Sequence, residues 1–117
     1  MITIHRVQDY TITVEGHAGQ APIGHDIVCA GVSALVGALA EVIARNRNKW
    51  VLSDLRINSG NTVISVAPKP EFNAYCRAIF DTVSCGFEHI EALYPDFVKY
   101  FQETTDLGLP FEEDFLV

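Results

Sequence analysis

The apolar run from Ile27 to Ala40, closed by Asp26 on one side and Glu41 on the other, constrains this chain most. It is about fourteen residues long, short of the roughly twenty that a bilayer requires. It therefore predicts a buried helix in a soluble protein, and no membrane partner. The helix is expected from Ile27 to Arg45 with Asp26 as N-cap. Arg45, Arg47 and Lys49 gather at its far end, where positive charge suits the helix dipole. Being apolar almost all round, the helix needs cover on more than one side. Gly31 and Gly37 suggest where another backbone comes close.

The remaining elements supply that cover. "MITIHRV" and "YTITVEG" alternate β-branched and polar residues around Gln8-Asp9, predicting a hairpin over 2–15. Gly16 to Gly24 reads as a loop. "KWVLSDLRI" and "NTVISVA" flank Asn58-Ser59-Gly60, a second hairpin. A second helix follows with Phe72, Tyr75, Ile79, Val83, Phe87 and Ile90 as its apolar stripe. Gly86 within it points to close packing, Pro95 breaks it, and "DFVKYF" reads as a short helical turn. The expected fold is α+β in ββαββα order: an antiparallel sheet of two hairpins carrying two main helices. This domain spans residues 1–103. Residues 104–117, with Asp106, Glu112, Glu113 and Asp114 and no basic residue, form a distinct acidic tail that folding does not need.

Eight basic against fifteen acidic residues give a net charge of -7. That argues against nucleic acid, which needs a basic face. Three cysteines without a C-x-x-C pair fit reduced thiols in the cytoplasm better than a disulfide framework. The N-terminus "MITIHRVQDY" has no basic region ahead of an apolar stretch, so no signal peptide is expected.

Chemistry concentrates in "GHAGQAPIGHDIVCAGVSAL". Cys29 is expected in the first turn of the helix, where open N–H groups and the dipole lower a thiol pKa. A small buried hydrophobe is the plainer reading of the same residue. His17 ends a strand between Gly16 and Ala18, and a short loop can bring it within hydrogen-bond reach of that thiol, as a nucleophile and its base require. Asp26 either orients His17 or only caps the helix. Ser33, four residues after Cys29, either supports the site or bonds back to a carbonyl one turn earlier. The backbone N–H groups of Cys29 and Ala30 are candidate oxyanion donors.

Other readings of these residues weaken. "GQAPIGHD" has the glycines of a phosphate loop but places His25-Asp26 where Lys and Ser/Thr are needed. His25/Cys29 and Cys85/His89 are i, i+4 pairs, yet their spacing matches no usual zinc module, so no metal and no cofactor is expected. Cys76 and Cys85 read as packing residues of the second helix, and His5 as strand surface.

The stretch resembles the signature of the ribosomal-processing cysteine proteases, the Prp family. That pattern is GHA, a glycine-bounded loop, then G-x-D-I-V-C-A, small residues and V-S. Gly16, His17, Ala18, Gly24, Asp26, Ile27, Val28, Cys29, Ala30, Val32 and Ser33 fall in register, and "GFEHIEALYPDF" resembles the family's second helix and its exit. The resemblance covers residues 1 to 100. It implies a homodimeric cysteine endopeptidase that removes a short N-terminal extension from a large-subunit ribosomal protein. By position His17 is then the base and Cys29 the nucleophile, with Asp26 and Ser33 supporting. The loop "GQAPIG" departs from the bulkier residues expected there. A phage structural protein as substrate, or a non-catalytic binding module of the same fold, are the alternatives.

Overall fold

The computed structural model describes residues 1–16 and 23–103, with side chains of the second segment from residue 27 onward. Alternation of apolar and polar residues makes β1 (Ile2–Val7) and β2 (Thr11–Glu15) strands. They pair antiparallel, with Thr3 opposite Glu15 and Val7 opposite Thr11. α1 (Ile23–Arg45) follows, then β3 (Trp50–Asn58) and β4 (Asn61–Pro68), α2 (Asn73–Leu93) and β5 (Val98–Glu103). The sheet runs β3-β4-β2-β1-β5.

β5 corrects the expectation of a purely antiparallel two-hairpin sheet. It pairs parallel to β1, Ile2 opposite Val98 through Val7 opposite Glu103, so the five-stranded sheet is mixed. The segment read as a helical turn alternates instead, with Val98 buried and Lys99 exposed. Its partner strand lies at the other end of the chain, beyond the reach of any local pattern.

α1 begins at Ile23, one turn before the expected start. Ile23 stands four residues before Ile27, so the apolar spacing extends backward, and Gly24 costs a helix only about 1 kcal/mol. Asp26 is therefore inside the helix and not its N-cap. Ile27–Arg45 is in fact long and apolar enough to cross a membrane by length and composition. Here Val28, Val32, Val36, Leu39 and Ile43 face the core, against Ile4, Ile12 and Ile64 of the sheet.

The buried face of α2 is Cys76, Phe80, Val83, Ser84 and Phe87, rotated from the expected stripe at its first turns. Tyr75 is exposed and stacks on Trp50 instead. Cys85 is exposed, contrary to its reading as a packing residue. Gly86 does mark close packing, since a Cβ there would lie 2.8 Å from Leu35 Cδ1. At Gly37 a Cβ would meet nothing within 4 Å among the described residues, so none of their backbone approaches it. Both helices cover one face of the sheet. The other face carries His5, stacked on Phe101 at 5.0 Å and paired with Glu103.

On the helix side of β1, Arg6 is buried. Its guanidinium donates to the Asp9 carbonyl at 2.9 and 3.2 Å, to Asp81 Oδ1 at 2.7 Å and to Ser84 Oγ at 3.3 Å. The fork thereby ties the β1–β2 turn to α2.

Candidate active site

Cys29 is half-buried and lines a cleft of about 410 Å³ between α1 and the tip of the β3–β4 hairpin. Ser33, one turn on, lines the same cleft, and Ile57, Asn58 and Asn61 form the facing wall. Gly16, the residue before His17, stands at the edge. Its φ of +113° suits only glycine, and a Cβ there would lie 2.1 Å from the Met1 carbonyl oxygen. Its N–H donates to the Gly60 carbonyl at 3.1 Å.

The structure thus brings Cys29 and Ser33 together and places Gly16, the residue before His17, at the rim. His17 itself, the Asp26 side chain, the 18–22 part of the expected loop and the 104–117 tail lie outside the described residues. Cys29 and Ala30 fall in the second turn of α1, past the first four N–H groups that a helix leaves open. Their N–H groups bond carbonyls one turn back, so they reach a substrate carbonyl only if the first turn of α1 unwinds.

Among the described residues the cleft lining carries no charged side chain: aliphatic groups meet the amides of Asn58 and Asn61 and the hydroxyls of Ser33 and Thr62. Such a surface suits a neutral stretch of peptide, with amides placed to bond its backbone. Sequence reasoning read Asn58-Ser59-Gly60 only as a turn. The register Glu15 opposite Asn61 carries that turn to the end of β2 and so to Cys29. The other two thiols differ from Cys29 in setting. Burial pushes the Cys76 thiol up to about 11, opposed in part by the Arg6 cation, and Cys85 sits exposed on α2.

The family model of the cysteine protease Prp matches residues 1–99. The chain belongs to the Prp family of cysteine proteases. It is therefore a cysteine-type endopeptidase, a thiol hydrolase. The ribosomal processing protease Prp of S. aureus, solved with a covalently linked product peptide, is 24% identical with a TM-score of 0.72. The same protease solved with a substrate peptide gives 23% and 0.73, and both alignments cover 88% of this chain and all of the other. A protein of Streptococcus mutans is 22% identical at a TM-score of 0.74, over 90% of this chain and 96% of that one. These likenesses show the fold. None of the curated proteins compared with the chain matches it.

Proposed function

We propose that this protease removes a short N-terminal extension from a large-subunit ribosomal protein, in the cytoplasm, as a homodimer. The observation that carries the reading is the cleft holding Cys29 and Ser33, whose lining among the described residues is uncharged and has Gly16 at its edge. The S. aureus relatives that share the fold are ribosomal processing proteases solved with peptides, which supports the substrate class. In this scheme His17 takes the proton from the Cys29 thiol, and the sulfur attacks the scissile carbonyl carbon. The C–N bond breaks, the amine leaves with the proton from His17, and water hydrolyses the thioester. Asp26 and Ser33 support the pair, and the Cys29 and Ala30 amides serve as oxyanion donors once the turn before them opens.

The test is incubation with a ribosomal-protein precursor carrying its extension, followed by mass spectrometry. One discrete shift is expected, lost in Cys29→Ser and strongly reduced in His17→Ala. Full cleavage by Cys29→Ser would remove the nucleophile assignment. Tight binding of the precursor without cleavage would replace protease action on it by docking alone.

A further inference from the structure

β3 is an edge strand of nine residues, and such an edge offers unpaired backbone groups to another strand. Val51, Leu52 and Ile57 on it are 62%, 70% and 52% exposed. On the face away from the helices, Asp54 and Arg56 form an ion pair along the strand, Nη2 to Oδ2 at 2.7 Å. The two-residue turn closes on Asn58 and Asn61. The N–H and C=O groups of Asn58, Arg56 and Asp54 therefore face β4, and those of Ile57, Leu55 and Ser53 face outward.

We propose that a second copy of this chain pairs its β3 antiparallel to this one about a two-fold axis at Leu55, setting Asp54 against Arg56 of the partner subunit and the reverse. Charge selects the register. An axis at Asp54 places that carboxylate against its own copy, and an axis at Arg56 does the same with two guanidinium groups. An axis at Ser53 leaves both charges unpaired. Centring on Leu55 matches the outward-facing backbone groups of the two strands. It also puts the oppositely charged side chains at positions without backbone hydrogen bonds, where side chains across a ladder lie closest. Leu52 then meets Asn58 of the partner subunit, and Ser53 meets Ile57 of the partner subunit. Ile57 and Asn58 wall the cleft, so each copy braces the other's site. The proposal rests on the homodimer of the proposed function and supplies its interface.

Charge reversal tests it through mass, by sedimentation at micromolar concentration. Asp54→Arg alone and Arg56→Asp alone each set like charges across the axis and should weaken the dimer at least ~10-fold. Mixing the two variants in equal amounts should restore a dimer within a few-fold of the original. In the mixed dimer opposite charges again face each other across the axis, while like charges stay adjacent within each strand. A mixture as dissociated as its components overturns the register. A rise in peptide KM with unchanged mass would instead make the edge a substrate-strand site. Where a reversal unfolds the chain, Asp54→Asn and Arg56→Gln should each weaken the dimer ~3-fold, and mixing them should recover part of that loss, because the mixed dimer regains one of the two Asp54–Arg56 pairs across the axis. A chain that dimerises this way and leaves the ribosomal precursor intact would overturn the substrate reading and keep the interface.

Discussion

The Gly16 N–H bonds the Gly60 carbonyl, joining the residue before His17 to the hairpin tip that faces Cys29. Two glycines at positive φ meet there, Gly16 at 113° and Gly60 at 78°. The ladder beside them, Glu15 opposite Asn61, fixes their approach. The backbone leading to the proposed base is thus positioned by the sheet up to Gly16.

Gly16→Ala should damage this junction. The added Cβ would lie 2.1 Å from the Met1 carbonyl oxygen in a conformation that L residues avoid, so the strand end must shift. A stability loss of roughly 2–3 kcal/mol is expected, with peptide cleavage falling at least tenfold even where the chain stays folded. Thermal unfolding and cleavage measured on the same sample check both. An unchanged melting temperature would show that the junction relaxes freely.

Alkylation should sort the three thiols. Cys29, in the cleft and with His17 as its proposed base, should react first at neutral pH, and His17→Ala should slow it. Cys85 is exposed and should react next. Cys76 should resist until the chain unfolds, because it is buried and its thiol is raised to about 11, leaving little thiolate. Peptide mapping over a time course gives the order. Cys29 labelling no faster than Cys85 would argue against an activated nucleophile.

Most of the scaffold was legible because its elements obey a local period. β1 to β4 alternate, and α1 and α2 carry apolar residues three and four apart. β5 also alternates, but a six-residue run after Pro95 becomes a strand only beside β1, whose pairing is non-local. The site was half legible. Cys29 and Ser33 share a helix side by their spacing of four, whereas the facing wall of Ile57 to Asn61 exists only because β4 lies next to β2. Arg6 carries a signal of its own: it follows Ile2 and Ile4 at the inward parity of β1, where a charge demands partners.

Those partners make Arg6 a stability test. Arg6→Met keeps the bulk but leaves the Asp9 carbonyl without its two guanidinium donors and Asp81 without its cation. A loss of about 2–3 kcal/mol, roughly 10 °C in melting temperature, is expected. Asp81 is 55% exposed at its side chain, so Asp81→Asn should cost under ~1 kcal/mol. The reverse order would show that the ion pair, and not the turn-to-helix fork, holds the contact.

Stability should also fall in alkali, through Cys76. Near pH 7 its thiol is protonated in both the folded and the unfolded chain, so it contributes no pH dependence. Above the ordinary value of 9.0 the unfolded chain releases that proton, while the folded chain, raised to about 11, retains it. The unfolded state then binds fewer protons, and stability declines with rising pH across that window. At pH 10 the loss from this one group is on the order of 1 kcal/mol. Burial raises Tyr10 and Tyr100 as well, which adds a decline of the same sign at still higher pH. Urea unfolding at pH 8 and pH 10 should show the drop, and Cys76→Ala should remove most of it despite a lower starting stability. Equal slopes in the two proteins would mean that the Cys76 thiol ionises in the folded chain as readily as in the unfolded one.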